Sequence, residues 1–167
     1  MTNAPPFTGK PYIGKLQTVE SQWTDYNGHM NMAYYAVLFD RAADEMFESL
    51  GLGSAYVKAT NNSFFTLETH TSYANELNAG DPVRIEQQLI GSDAKRVHYV
   101  QQMFRGETSY LVCVLEVMVS HVDLATHRTS PFPDDVRARI QDLAVQHKPL
   151  PLPPQVGHVI GLPKPRA

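Results

Sequence analysis

The chain has 167 residues, a net charge of -3 at pH 7 and one cysteine, with 43% hydrophobic and 19% charged side chains. This balance excludes a disordered chain and a coiled coil, gives no electrostatic basis for binding nucleic acid, and rules out an internal disulfide or a multi-cysteine metal site. The longest nearly apolar run, residues 110–119, is about half the length that a membrane-spanning helix needs, and Glu116 interrupts it, so a soluble cytoplasmic protein is expected.

Residues 1–10 are polar, carry a proline pair, lack the apolar segment of a secretory signal, and read as a leader. A single domain is expected over 11–145, followed by a Pro-rich tail over 146–167 that extends freely or lies as an arm over a partner. Loose alternation of Tyr12, Ile13, Leu16, Val19 and Trp23 predicts a strand over 12–23. Residues 24–31 are rich in turn formers and read as a loop. Tyr34, Val37, Leu38, Ala42, Met46 and Leu50 then recur at threes and fours and predict an amphipathic helix over 32–50. Asn31 is its expected N-cap, and Gly51 the residue just past its end.

Four strands are predicted over 63–74, 83–90, 97–104 and 110–122, joined by turns at 79–82, 91–94 and 106–109. Connections this short make antiparallel neighbours. A short helix over 134–144 has Pro133 at its entrance. One helix must cover a sheet of about five strands, which points to a layered α+β fold in which a curved antiparallel sheet wraps one long helix. Such a sheet leaves edges that a second copy covers.

The segment 25–31 carries the chemistry. Asp25, Asn27, His29 and Asn31 alternate with Tyr26, Gly28 and Met30 directly ahead of a helix. A helix start supplies free N–H groups and a positive dipole end, which suit a developing oxyanion, and a carboxylate held there activates water or attacks a carbonyl. The plainer reading is an Asx-rich turn in which Asn31 caps the helix and Asp25 stabilises the loop.

The order Trp23-x-Asp25-x-Asn27-Gly28-His29-Met30-Asn31, followed by Tyr34 or Tyr35 and Phe39-Asp40, resembles the signature of hotdog-fold acyl thioesterases of the 4-hydroxybenzoyl-CoA thioesterase type and, in its Asp-x-Asn-x-His-x-Asn spacing, of plant acyl-carrier-protein thioesterases. The segments 67–70, 80–82, 91–98 and 121–123 are similar to the betainyl-CoA thioesterase branch, and the likeness covers residues 12–133. The resemblance implies a hotdog fold, Asp25 as general base or nucleophile, the backbone N–H near Met32 as oxyanion donor, His29 and Asn31 as groups that orient the loop, the water or the carbonyl, and Asn27 as the match of a residue implicated in the plant enzymes. It further implies a homodimer or homotetramer with interfacial active sites, acyl-CoA as the only small-molecule partner, and no cofactor. Glu45 and Glu48 lie too near the helix C-terminus to act as the helix carboxylate of a second hotdog branch. The tandem repeat of plant acyl-carrier-protein thioesterases and the dehydrogenase domain fused to some betainyl-CoA thioesterases have no counterpart in this sequence.

Each remaining candidate has two readings. Lys95 and Arg96 bind CoA phosphates or form a solvated turn. Glu68 and His70, two apart on one strand face, line the acyl pocket or make a polar pair. Trp23, Tyr26, Tyr34, Tyr35, Phe64, Phe65 and Tyr73 are mostly core, with a minority available to cage a trimethylammonium group. Glu116, in an apolar strand, requires a histidine or arginine partner. Cys113 is a buried, inert thiol, and the scattered histidines lack ligand spacing, so no metal is expected. The resulting expectation is hydrolysis of betainyl-CoA or another short acyl-CoA to the free acid and CoA. The alternative is a non-catalytic acyl-CoA-binding or structural hotdog dimer, which has no need of a carboxylate at Asp25.

Overall fold

The computed structural model describes residues 9–162. Most of the leader expected over 1–10, and residues 163–167 of the tail, lie outside them. The elements in order are β1 (Tyr12–Ile13), β2 (Gln17–Thr18), a 3-10 turn (Ser21–Trp23), α1 (Met32–Ser49), α2 (Ser54–Thr60), β3 (Asn62–Tyr73), β4 (Pro82–Ser92), β5 (Arg96–Arg105), β6 (Leu111–Asp123), β7 (Arg128–Thr129) and α3 (Asp134–His147). One antiparallel sheet runs β1-β4-β5-β6-β3, with β2 also on β4 and β7 on β6. It has seven strands rather than about five, but three of them are only two residues long.

The sheet wraps α1, which is the hotdog arrangement. Leu38, Phe39, Ala42 and Met46 are fully buried, at the spacing that keeps one stripe of a helix against a sheet. Leu38, Phe39 and Ala42 pack with Val83, Ile85, Met103 and Cys113 at one end, while Met46 and Phe47 pack with Leu89, Val97, Tyr99 and Val119 at the other. Each such large side chain contributes about 1.5–3 kcal/mol on burial. Two glutamines sit in this apolar layer without being orphaned. Gln87 donates to Ala42 O of α1 at 2.7 Å, and Gln101 donates to Phe39 O and to Gln87 Oε1, both at 2.9 Å. Strands β4 and β5 are thereby tied to the helix backbone from below.

The strand expected over 12–23 is broken. Lys15 N donates to Glu45 Oε2 of α1 at 2.7 Å, so the helix takes a backbone group that a sheet ladder would use. A Cβ at Gly14 would stand 2.9 Å from the same carboxylate, so the chain crosses α1 closely there. Helix α2 lies between the expected helix and the first long strand, where the sequence patterning predicts no element. Its entry is fixed by Glu48 Oε2, which accepts from Ser54 N at 3.1 Å, and it ends at Asn61 in the left-handed region, φ 53°.

Helix α3 runs three residues beyond its expected end, and its last residue, His147, is buried against the edge of β4, where Leu89 N donates to Nδ1 at 2.9 Å. The tail then crosses the sheet face opposite α1. Gln88 Nε2 donates to Leu150 O at 3.2 Å, Pro153 is buried, and Gly157 N donates to Glu116 Oε2 at 2.7 Å. The arm therefore lies over its own sheet. At the other end of the sheet, β3 pairs only with β6 among the described residues, so its outer edge is free.

Candidate active site

The loop ahead of α1 is a tight hairpin. Thr24 and Met30 face each other as an isolated bridge, Asp25 N donates to His29 O, and Gly28 N donates to Asp25 O, both at 3.0 Å. Gly28 turns the chain with φ 81°, a conformation that side-chain-bearing residues resist. Buried Met30 anchors the return arm, its N–H donating to Leu77 O at 2.7 Å. Asn31 N donates to Trp23 O at 2.9 Å, while Asn31 Oδ1 accepts from Ala33 N at 3.0 Å and so caps α1. The Met32 N–H, at the first helical position, has no hydrogen-bond partner among the described residues.

Asp25 is half-buried on this turn. Its Oδ1 accepts from Asn27 N at 2.8 Å, which is the Asx turn of the plainer reading, and its Oδ2 has no hydrogen bond among the described residues. Asn27 and His29 are exposed, and Tyr26 at the tip is 97% exposed. Trp23 is placed otherwise. It is 5% exposed and stacked on Tyr34, with ring centroids 5.3 Å apart, and the Arg41 guanidinium lies 5.3 Å from its ring. It anchors the loop from beneath and offers no face to a ligand within the protomer.

A groove begins at the start of α1 and runs along its flank beside β3. One end is lined by Met30, Met32, Tyr35 and Tyr73. Tyr73 also lines the next section, a cleft of about 390 Å³ between Val37 and Asp40 of α1, Thr66, Thr69 and Thr71 of β3, and Tyr99 and Gln101 of β5. Tyr35 and Tyr73 meet edge to face at 5.1 Å, and burial pushes the Tyr35 hydroxyl up to about 12, so it is a neutral donor at pH 7. Asp25 is not among the residues that line either section.

Glu68 and His70 share a strand face, as their spacing requires, but it is the outer one. A bulge between Thr66 and Glu68 turns Thr69 and Thr71 toward α1, and leaves Glu68 and His70 in a separate cleft with His98, Glu116 and His158. Within one protomer they therefore do not line the groove at α1. Glu116 has the partner it requires, His98 Nε2 at 2.7 Å. Lys95 and Arg96 form a turn around Asp93, whose Oδ1 accepts from both backbone N–H groups at 2.7 Å, and those bonds hold its carboxyl below the usual range. His121 is buried, with Nε2 2.9 Å from the Tyr56 hydroxyl and Nδ1 3.0 Å from Ser130 O. Burial raises the Cys113 thiol to about 12, far from a thiolate at neutral pH. Asp40, which the sequence offered only as part of the thioesterase-like signature, and Gln101, which carried no signal beyond a polar residue amid apolar ones, both stand in the cleft wall.

The comparisons with known proteins agree with this architecture. Residues 19–140, spanning the loop, α1 and all four long strands, match the thioesterase-like superfamily. The chain is 39% identical over 142 residues to the betainyl-CoA thioesterase of Pseudomonas aeruginosa, covering 85% of this chain and 89% of that protein. It is 32% identical over 143 residues to the L-carnitine dehydrogenase/betainyl-CoA thioesterase of Rhizobium meliloti, of which it spans 29%. Among solved structures it is similar to a Staphylococcus aureus protein in complex with CoA, with a TM-score of 0.84, 28% identity, and coverage of 92% of this chain and 98% of that one. A Pseudomonas putida protein described as a putative thioesterase superposes with a TM-score of 0.79 at 30% identity, with coverage of 92% of this chain and 98% of that one. With the loop, the central helix and the whole sheet inside the matched region, the chain belongs to the thioesterase-like superfamily.

Proposed function

We propose that this protein hydrolyses an acyl-CoA thioester to the free acid and CoA, with Asp25 as the catalytic carboxylate and no cofactor beyond the CoA carried by the substrate. Betainyl-CoA, named in the relatives from Pseudomonas aeruginosa and Rhizobium meliloti, or another short acyl-CoA is the substrate. The observation that carries the reading is one hairpin holding a carboxylate with a free oxygen, Asp25 Oδ2, and ending at the unpaired Met32 N–H of a capped helix.

A thioester carbonyl polarised by that N–H accumulates negative charge where the helix dipole favours it. Asp25 takes a proton from a water that attacks the carbonyl carbon, or attacks it directly to form an anhydride that water then opens. Either way the C–S bond breaks. CoA departs as a thiolate without a general acid and then takes up a proton from solvent, while the proton removed from water is released to solvent. Asn27 and His29, exposed beside the carboxylate, orient water or substrate.

Two copies complete the site in this reading. Met32 and Asp40 stand eight residues apart, about 12 Å along a helix, farther than a two-carbon acyl group spans. The free edge of β3 carries Phe65 and Leu67, 43% and 54% exposed, with Val37 and Met32 exposed on the adjoining flank of α1. Pairing across this edge, in a homodimer or in a homotetramer of such dimers, brings the loop of one copy to the cleft of the other. No helix among the described residues is long and apolar enough to cross a membrane.

Thiol release from betainyl-CoA, acetyl-CoA and longer acyl-CoAs tests the reading. Turnover of at least one short thioester supports it, and binding without thiol release favours the non-catalytic alternative.

A further inference from the structure

We propose that Phe47 of α1 and Phe64 of β3 form the stop that sets how long an acyl chain the cleft admits, the stacked pair closing the gap between helix and strand one turn beyond Ala43. The inference rests on the thioesterase reading above and adds to it the residues that read acyl length.

Helix α1 and strand β3 run in opposite directions along their shared face. Tyr35 meets Tyr73 at one end, at 5.1 Å, and Phe47 meets Phe64 at the other, with ring centroids 4.6 Å apart. Phe47 follows Tyr35 by twelve residues, about 18 Å along a helix. Between the two aromatic pairs shorter side chains line the gap, among them Val37, Asp40 and Ala43 of α1 and Thr66, Thr69 and Thr71 of β3. The cleft of about 390 Å³ is the space they leave.

The two ends differ. Tyr73 is 49% exposed, its ring meets Tyr35 edge to face, and the groove continues past it to Met30 and Met32 at the start of α1. Phe47 is 8% exposed and lies nearly parallel to Phe64, at 23°. Tyr99 of β5 braces Phe47 edge-on at 5.8 Å, and the Phe132 ring stands 5.8 Å from that of Phe64. Among the described residues, none beyond this pair on either element lines the cleft. The groove is thus open toward the helix start and blind at Phe47.

The block follows from residue spacing. Phe47 comes one turn after Ala43, so both side chains fall on the same flank of α1, and Phe64, two before Thr66, shares its strand face. A methyl at position 43 and a ring at 47 change an open gap into a filled one within about 6 Å of helix. A close-packed ring pair does not yield to an added methylene. An acyl chain that reaches it must unstack the rings or bend back toward water, and a pocket rejects such a misfit by about tenfold or more.

The test is kcat/KM for thiol release along straight-chain acyl-CoAs from acetyl to palmitoyl, in the wild type, Phe64→Ala and Phe64→Leu, with melting temperatures measured in parallel. In the wild type the values are expected to drop by about tenfold or more over one two-carbon step. Phe64→Ala is expected to move that drop to chains at least about two carbons longer. If Phe64→Ala does not fold, Phe64→Leu, which opens the stop less, decides in its place. A purely structural role lowers all lengths alike, so a drop that stays at the same length overturns the proposal, as does a wild type with no drop up to palmitoyl. If the wild type cleaves no straight chain, depth is read by calorimetry on the S-alkyl-CoA thioethers. Affinity that stops rising at one length in the wild type and at a greater one in the Phe64 variants upholds the stop, and the same length in all of them overturns it. Absence of turnover on betainyl-CoA as well counts against the thioesterase reading alone.

Discussion

One Asp25 oxygen closes the Asx turn onto Asn27 N, and the other, with no hydrogen bond among the described residues, is the one to which the chemistry is proposed to fall. Asn31 is similarly split, its backbone N–H tied to Trp23 O and its side chain capping α1. Replacing Asn31 with alanine removes the cap while keeping the backbone bond, and is expected to cost about 1 kcal/mol in urea unfolding. It should also lower kcat, since the Met32 N–H is then less firmly aimed; unchanged stability and rate would show that the cap does neither job. These roles were legible in the sequence because each residue type declares a local bond: Asn as cap, Gly28 for a left-handed φ, Asp for a turn. The place of Asp40 in the cleft wall was not legible, because the sequence offered the residue only inside the thioesterase-like signature and could not set that flank of α1 against β3. Glu68 and His70 were placed on a common face correctly, but the bulge beside them, which decides which face, leaves no mark in the alternation.

At the scale of elements, the four long strands were readable because Gly- and Asp-bearing turns punctuate them. The segment 12–23 was not, because Glu45, thirty residues away from Lys15, captures its backbone. Helix α3 and the tail form a second tether, from the edge of β4 across the outer face of the sheet to Glu116. His147 joins them and must be neutral, since its Nδ1 accepts from Leu89 N. Burial lowers its pKa from the ordinary value of 6.5. The unfolded chain therefore binds this proton first as pH falls, so the contribution of His147 is complete above about pH 6.5 and declines below it toward the folded-state pKa. His147→Asn keeps an acceptor and removes the titration. Its melting temperature is expected to fall less steeply than that of the wild type between about pH 6.5 and pH 5. Parallel curves would contradict the assignment.

At the scale of the whole molecule, a helix-wrapping sheet with a free edge leaves an apolar rim made by Phe65 and Leu67 of β3 and Val37 of α1. Leu67→Asp places a charge on that rim without touching Asp25. The wild type should sediment as a multiple of the 18.7 kDa chain, and the variant as single chains with its thioesterase activity lost. A variant that stays associated and active would move the interface elsewhere.

Asp25, beside the start of α1, is the carboxylate proposed to drive thioester cleavage. Single-turnover thiol release by Asp25→Asn, with melting temperature measured in parallel, tests this role most directly. The account predicts a rate lower by about 10²–10⁴-fold at unchanged stability. A variant as stable as the wild type that releases CoA at the wild-type rate would contradict it.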